Sequence, residues 1–240
     1  MNTFLFYDPS ITDKTKSFIL LAEESWHIIK VLRFRKGDKL LLTNGTGSIF
    51  ETEIVTDSQK GVEVNVLKNE LFKPVKPSVR LATSPVKNRE TMEWLVEKAT
   101  EIGVTSLHFF TSEHSERTVL NLDRLEKIAI SAIKQSLNPY KPELHQLLTF
   151  KSLINSFQNQ TMQKLIAHCG QPSEQHISRI YKPGSDVLLL VGPEGGFSKK
   201  ETDEAKCMNF DVISLGNNRL RTETASIYAL TAIQTLNNLA

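Results

Sequence analysis

The sequence predicts an α/β protein that consists of a small β-barrel followed by a parallel sheet covered by helices. Up to about residue 70, short apolar runs are separated by turn residues. Beyond the proline-rich segment 73–77, apolar runs of strand length alternate with helical periods over about 160 residues. Such alternation is typical of parallel sheets, because each connection between parallel strands must hold a crossover, usually a helix.

The first part of the chain is predicted to contain five short strands and one helix. Val62, Val64 and Val66 alternate with polar residues, as expected for a strand with one buried face. Residues 44–47 read Asn-Gly-Thr-Gly and predict a turn. The helix is expected near Glu23–Leu32. The predicted strands are Phe4–Tyr7, Phe18–Leu21, Lys39–Thr43, Ser48–Val55 and Val62–Leu67.

The two prolines at 74 and 77 favour extended backbone and predict a domain boundary, with domains at 1–72 and 78–240. In the second domain, Glu90–Gly103 has one apolar face and ends at glycine, which predicts a helix. Asp123, with Glu126 three residues later, matches a capping box. The remaining predicted elements are the strands Val79–Thr83, Ser106–Phe110, Lys164–His168, Val187–Val191 and Val212–Leu215 and the closing helix Ala225–Leu239.

Composition excludes several classes of protein. The chain has 240 residues, 40% of them apolar, which is ordinary for a globular protein with a substantial core. The net charge of +2 neither requires nor excludes a nucleic acid partner. Two distant cysteines and six scattered histidines predict neither disulfides nor a metal site. Because residues 1–4 do not begin a leader and no apolar run is long enough to span a membrane, we expect a cytoplasmic protein.

Residues 192–196 read Gly-Pro-Glu-Gly-Gly and follow an apolar strand. Glycines let a ligand approach the backbone closely, and a following helix N-terminus can bind an anion. The spacing matches neither G-x-x-x-x-G-K-[ST] nor G-x-G-x-x-G. Alone, the cluster fits a tight turn as well as a ligand loop, although a turn does not require the carboxylate of Glu194. Ser198 and Glu201 predict a capping box for the next helix.

A second polar cluster directly precedes the closing helix. One interpretation is helix capping, with Thr222 or Thr224 as the N-cap and Glu223 favourable to the helix dipole. Capping does not explain Arg219 and Arg221. Arginine next to a carboxylate at the edge of a sheet is the kind of polar group that a ligand site needs.

Together the two clusters resemble the ribosomal RNA uridine-N3 methyltransferase family, which modifies small-subunit (16S) ribosomal RNA and belongs to the SPOUT-type methyltransferases. The matching motifs are the Gly-Pro-Glu-Gly-Gly of 192–196 and the Leu-Gly-x-x-x-Leu-Arg-Thr-Glu-Thr-Ala of 215–225. The resemblance covers essentially the whole chain, and the two motifs are highly specific as a pair. Weaker matches lie at 27–33 with 37–38, at 87–93, at 97–104 and at 115–117.

This resemblance implies a fold with two domains, an RNA-binding PUA-like β-barrel at 1–72 and a trefoil-knotted parallel-sheet methyltransferase domain at 78–240. It also implies a homodimer that uses S-adenosylmethionine and acts on 16S ribosomal RNA or the small ribosomal subunit. Arg221 and Glu223 are the implied catalytic residues. The implied cofactor-binding residues are Leu190, Gly192, Pro193, Glu194, Gly195, Gly196, Leu215, Gly216, Leu220, Thr222, Thr224 and Ala225.

Several basic residues are candidates for contacts with RNA phosphates, although for each one alone a solvated surface charge is the favoured interpretation. They are Arg33, Arg35, Lys36, Lys87, Arg89 and Arg117. The sequence departs from the family at 134–138, where Lys-Gln-Ser-Leu-Asn replaces the usual acidic and arginine positions, so we assign this loop no function.

Other residues have simpler interpretations. Cys169 follows a strand, and we expect it to be buried and inert because no activating charge is evident. Trp94 lies in an amphipathic helix, where packing explains it better than base stacking. Two alternatives to the main hypothesis remain, a methyltransferase of this fold that acts on another RNA and an inactive RNA-binding accessory protein. The presence of Arg221, Thr222 and Glu223 disfavours the inactive protein.

Overall fold

The computed structural model describes residues 4–58, 61–74, 76–170 and 172–239. The residues used to argue against a leader fall mainly at positions 1–3, outside the described ranges, as does Val75 in the proline-rich segment. The chain divides into two compact units. One comprises Met1–Pro74 with Ile130–Lys141, and the other comprises Val75–Ala129 with Pro142–Ala240. The first unit therefore includes a segment that the sequence analysis placed in the second domain.

The first unit is a five-stranded sheet with one helical segment against it. Its strands are β1 (Leu5–Tyr7), β2 (Ser17–Ile19), β3 (Lys39–Thr43), β4 (Ser48–Ser58) and β5 (Gly61–Leu71), paired in the order β1-β3-β4-β5-β2. Among the described strands of this unit, β1 and β3 form the only parallel pair. Helix α1 (Ala22–Trp26) continues into a π-helical turn at His27–Val31. The expected strands and helix of this part are all present, and β4 and β5 are longer than predicted.

Residues 130–141 belong to the first unit because specific contacts fasten them to it. The Lys134 ammonium forms an ion pair with Glu24 at 2.6 Å and lies 5.3 Å from the centre of the Phe6 ring. The Tyr140 hydroxyl donates to the Phe72 carbonyl oxygen at 2.7 Å. Sequence patterns could not reveal these contacts, since they join residues that are far apart in the chain. They give the loop that departs from the family pattern a structural role.

The second unit is a six-stranded, fully parallel sheet in the order β11-β9-β10-β6-β7-β8. Its strands are β6 (Val79–Thr83), β7 (Ser106–Thr111), β8 (Glu143–Thr149), β9 (Gln163–Ala167), β10 (Val187–Val191) and β11 (Asp211–Ile213). Its helices are α2 (Arg89–Ile102), α3 (Leu122–Ser136, shared with the first unit), α4 (Phe150–Ser156), α5 (Ile177–Ile180), α6 (Lys199–Cys207) and α7 (Thr222–Leu239). This confirms the α/β class and the parallel sheet. The trefoil knot stays a prediction.

Strand β10 lies inside the sheet and is buried on both faces. Leu189 packs in the cluster that includes residues of α2 and α7, whereas Leu188 and Leu190 pack in the cluster that includes residues of α4 and α6. A strand that is covered on both sides must be apolar at every position, which explains the uninterrupted run of β10. The site loops therefore leave a rigid central element.

The helix ends test the capping predictions. Gly103 closes α2 in the left-handed region at φ 94°, and Ser198 forms the predicted capping box with Glu201. The capping box predicted at Asp123 is wrong, because the helix has already begun at Leu122 and the Asn121 side chain accepts a hydrogen bond from the Arg124 amide at 3.0 Å. The sequence analysis also missed β8 and α4, which follow the Pro142 region.

No helix in the described ranges is long and apolar enough to cross a membrane. A search of the same residues finds no group of three or more His, Cys, Asp or Glu side chains arranged to hold a metal ion.

A buried histidine makes the stability of the second unit sensitive to pH. His108 on β7 stacks on His145 with ring centres 4.0 Å apart, and its Nε2 is 2.9 Å from the Ser106 hydroxyl. Burial, reinforced by the neighbouring His145 and Arg80, lowers the pKa of His108 from 6.5 to about 3. The folded protein therefore holds this side chain neutral at pH values at which the unfolded chain binds a proton.

We expect the free energy of unfolding to fall as the pH drops below about 6.5, by up to about 1.4 kcal/mol per pH unit from this residue. The contribution is complete above the unfolded pKa and is lost progressively toward the folded pKa. His108→Gln removes the titrating group, so its stability should fall less steeply over the same range. Urea denaturation at a series of pH values measures both slopes, and identical slopes would contradict the assignment.

Candidate functional site

The site lies at the carboxyl edge of the parallel sheet, where three loops meet. They follow β9, β10 and β11, and together with the start of α7 they enclose a cleft of about 590 Å³ including its open mouth. Parallel strands deliver their carboxyl ends to one edge, which is why loops distant in sequence converge there. The cleft is lined by Ala167, His168, Cys169, Val191, Gly192, Pro193, Glu194, Gly196, Leu215, Gly216, Asn218, Arg219, Leu220, Thr222 and Ala225.

A buried threonine joins the closing helix to the loop after β10. The Thr222 hydroxyl donates to the Gly192 carbonyl oxygen at 2.9 Å. The first helical turn is closed by the Ala225 amide, which donates to the Arg221 carbonyl oxygen. Thr222 is therefore the first residue of α7 and not its N-cap. The closing helix consequently begins three residues earlier than predicted.

The glycines of the two motifs are required for different reasons. A Cβ atom on Gly195 would come within 2.7 Å of the Cβ of His114, so packing within the protein already excludes a side chain. A Cβ on Gly192 would meet the Phe197 ring at 3.0 Å. Gly216 has φ +112° and no neighbour within 4 Å of a Cβ position, so the backbone conformation requires glycine there and leaves the wall of the cleft open.

Glu194 connects two loops through different parts of the residue. Its backbone carbonyl oxygen accepts a hydrogen bond from Nη2 of Arg219 at 2.9 Å. Its carboxylate lies 3.4 Å from the Lys87 amide, and the Lys87 ammonium in turn pairs with Glu116 at 3.0 Å. Arg117 donates to the Lys87 carbonyl oxygen at 3.4 Å. The loops after β6, β7, β10 and β11 are therefore linked by polar contacts around one mouth.

A groove adjoins the cleft and shares a wall with it. The shared residues are Glu194, Arg219 and Leu220. Arg221 is exposed and Glu223 is half-buried in this groove, and within the described residues no ion pair joins them. An ion pair with Glu223 that braces the helix start therefore does not explain Arg221. The groove is lined by Val86, Lys87, Asn88, Thr91, Glu194, Arg219, Leu220, Arg221 and Glu223.

Most of the residues implied by the family resemblance meet in these two spaces. Three of the twelve implied cofactor residues do not line the cleft. Leu190 is buried in the core on the α4–α6 side, Gly195 packs against His114, and Thr224 is exposed beyond the cleft wall. The cleft gathers the other nine, which are Gly192, Pro193, Glu194, Gly196, Leu215, Gly216, Leu220, Thr222 and Ala225.

The loop after β9 was missed by sequence reasoning. It contributes Ala167, His168 and Cys169 to the cleft. The signal was available, because a predicted parallel strand ends there and its loop must reach the same edge. The expectation that Cys169 is buried is wrong, since it is exposed in the cleft wall. Arg219 was noticed in the sequence but given no role, and its bond to Glu194 depends on tertiary contact alone.

The candidate RNA residues are dispersed. Lys87 lines the groove, whereas Arg89 pairs with Glu93 at 2.9 Å and Arg117 donates to backbone carbonyl oxygens. The other three belong to the first unit, where they are exposed between α1 and β3; they are Arg33, Arg35 and Lys36. Trp94, which was expected to pack, is 43% exposed on α2.

Comparison with known proteins identifies the class. A family model described as an RNA methyltransferase domain matches residues 73–234, and one described as an RNA methyltransferase PUA domain matches residues 20–67. The chain is thus an RNA methyltransferase.

Individual relatives identify the family within the RNA methyltransferases. A curated protein of Rickettsia conorii, named Ribosomal RNA small subunit methyltransferase E, is 32% identical over 90% of this chain and 89% of its own. The crystal structure of a probable rRNA-methyltransferase from Porphyromonas gingivalis has 40% identity and a TM-score of 0.89, covering 98% of this chain and 99% of that one. A Neisseria gonorrhoeae Ribosomal RNA small subunit methyltransferase E, bound to S-adenosyl methionine, has 25% identity and a TM-score of 0.86, with 98% of each chain covered. This chain belongs to the ribosomal RNA small subunit methyltransferase E family.

The Thr222 hydrogen bond should stabilise the cleft measurably. Thr222→Val keeps the shape of the side chain but leaves the Gly192 carbonyl oxygen without its partner, which typically costs about 1–3 kcal/mol. We expect a loss of this size in chemical denaturation and faster amide hydrogen exchange at the start of α7. Thr224→Val, at an exposed position two residues away, is the matched control and should change little. Equal stability of the two variants would remove the structural role of the bond.

Proposed function

We propose that this chain transfers a methyl group from S-adenosylmethionine to N3 of a specific uridine in 16S ribosomal RNA. The observation that carries the proposal is the wall of Glu194, Arg219 and Leu220, which separates the cleft from a neighbouring groove lined by charged side chains. A group transfer needs two binding spaces that meet at one point. Family membership supports the cofactor and the class of RNA.

The cleft suits a cofactor with a flat aromatic ring and a polar tail. Its walls combine apolar side chains such as Leu215 and Leu220 with loop backbone, and Gly216 leaves room where a side chain would project. The lining residues named above would hold S-adenosylmethionine largely through backbone groups. When bound, this cofactor supplies an electrophilic methyl group on its sulfonium.

Arg221 is the best-placed residue to activate the uridine. Uracil N3 must lose its proton before or during methyl transfer, and the resulting negative charge spreads onto the two flanking carbonyl oxygens. A fixed guanidinium stabilises this charge more in the transition state than in the ground state, as catalysis requires. Arg221 is exposed in the groove with no ion-pair partner among the described residues, so its charge is available to a substrate.

Two carboxylates accompany Arg221 in the groove. We assign Glu223 to orienting Arg221 or the base, and Glu194 to accepting the N3 proton. The position of Glu194 in the shared wall supports its assignment, because a proton acceptor must stand next to the reacting atoms. His114 approaches the same loop, but its Nδ1 is 3.1 Å from the Gly196 carbonyl oxygen, which occupies that nitrogen.

The assembled enzyme is proposed to be a cytoplasmic homodimer whose first unit helps to hold RNA. The partly exposed face of α7 supports a dimer contact, since Tyr228 and Leu239 are large side chains that stay exposed on this helix. Arg33, Arg35 and Lys36 are the proposed phosphate contacts of the first unit. Deleting residues 1–72 would be a poor test of this role, because it would also uncover the contacts of residues 130–141.

The activity is tested by mapping methylated uridines in 16S ribosomal RNA by mass spectrometry. Unmodified RNA, either free or in small subunits, is incubated with the purified protein and the cofactor. One new N3-methyluridine is expected. Methylation of transfer RNA with none of 16S RNA would reassign the substrate, and methylation of neither would leave a protein that only binds RNA.

The catalytic role of Arg221 is tested by Arg221→Lys, which keeps the charge but loses the planar fork of donors. We expect folding and cofactor affinity to be nearly unchanged. Single-turnover methylation should fall by roughly 10² or more, as it does when a donor to a developing negative charge is lost.

Arg179→Lys, an exposed arginine on α5, is the matched control and should methylate normally. A rate for Arg221→Lys within a factor of about two of wild type would return Arg221 to a structural role.

A further inference from the structure

The first unit carries an exposed tryptophan beside unpaired basic residues. Trp26 at the end of α1 is 54% exposed, and the apolar side chains that flank it in the chain are similarly open, with Ile19 at 65%, Leu21 at 61% and Val31 at 52%. Single exposed apolar residues are normal, but a concentration of them within one short segment indicates a contact surface. We call residues 19–31 the Trp26 surface.

The base of this surface is rigid. Ser25, the residue before Trp26, is fully buried, and its hydroxyl donates to the Leu20 carbonyl oxygen at 3.1 Å and accepts from the Val62 amide at 2.8 Å. Ile28, two residues after Trp26, is also fully buried in the core of the unit. The backbone that carries Trp26 is therefore fixed on both sides before any partner binds, which lowers the entropic cost of binding.

The segment that follows the indole carries charge of one sign, whereas two acidic residues precede it, Glu23, which is exposed, and Glu24, which is paired with Lys134. Between Trp26 and Gly37 the chain has four cationic residues and no acidic one; they are Lys30, Arg33, Arg35 and Lys36. Within the described residues none of the four forms an ion pair. The π-helical turn is closed by the bond from the Leu32 amide to the His27 carbonyl oxygen five residues earlier. In such a wide turn, residues four and five positions after Trp26 lie beneath it, so Lys30 and Val31 share its side.

We propose that the Trp26 surface binds an unpaired nucleotide of the RNA substrate, with a base stacked on the indole and Lys30 and Arg33 on the flanking phosphates. An aromatic ring combined with cations is the arrangement that holds single-stranded nucleic acid without reading its sequence. A protein partner would require an acidic surface matched to the four cations, whereas every nucleotide of RNA supplies a phosphate. The proposal rests on the proposed function in that the substrate is RNA.

The test uses the two tryptophans of the chain. In full-length protein carrying Trp94→Phe, Trp26 is the only fluorophore of its kind. Titration with oligouridylate should quench its emission, because a stacked base contacts the ring. An RNA duplex of the same length carries more charge but offers no unpaired base, and it should leave the emission nearly unchanged.

Variants then separate stacking from charge. Trp26→Leu retains an apolar side chain without the aromatic face and should weaken oligouridylate binding by roughly 5- to 100-fold, with the dependence on salt unchanged. Lys30→Gln should reduce the slope of log affinity against log salt by about 0.7. Lys39→Gln is the matched control, because Lys39 is already paired with Glu51 at 2.8 Å, and it should lower the slope less.

The outcomes distinguish this inference from the function on which it rests. Wild-type protein that methylates ribosomal RNA, together with Trp26→Leu that binds oligouridylate equally well, overturns the stacking site and leaves the enzyme intact. Wild-type protein that methylates no RNA overturns the function instead. If Trp26 fluorescence responds to assembled ribosomal subunits but neither to oligouridylate nor to the duplex, the surface binds a protein, and the proposal is also overturned.

Discussion

The constraint on which this structure depends is that a parallel sheet sends all its carboxyl ends to one edge. Strand β10 lies within the sheet and is apolar at every position, because helices cover both of its faces. A strand so confined cannot hold polar chemistry along its length. Functional groups must therefore occupy the loops that follow the strands, and the neighbouring strands β6, β9 and β11 bring their loops to the same place.

Loops that meet at an edge still need to be held, and here backbone atoms hold them. The Gly192 and Glu194 carbonyl oxygens accept bonds from Thr222 and Arg219, and the backbone of Lys87 is contacted from two sides. Contacts to the backbone leave the outward side chains available. Arg221 lies between the partly buried Leu220 and the buried Thr222 and itself remains exposed to a substrate. The geometry thus separates the residues that build the mouth from those that act in it.

The sequence predicted most of this arrangement, and the failures share a physical cause. Most strands of the sheet and the Gly103 and Ser198 caps follow from local patterns of polarity and glycine, and nine of the cleft residues follow from the family resemblance of the two motifs. Local patterns could not show that Cys169 faces the cleft, that Arg219 reaches Glu194 or that Lys134 pairs with Glu24, because each depends on residues distant in the chain. The strand β8 was missed because its partly exposed, mixed sequence has no strong period.

The membership of residues 130–141 in the first unit has a consequence for the order of folding during synthesis. The ribosome releases the chain from its N-terminus, so the five-stranded sheet emerges long before Lys134 and Tyr140. Until residue 141 has left the exit tunnel, Phe6 lacks its cation and the Phe72 carbonyl oxygen lacks its donor. The nascent sheet therefore lacks these contacts while β6, α2 and β7 of the other unit are synthesised. The unit that begins the sequence therefore cannot be completed until more than half of the chain, including part of the other unit, has been made.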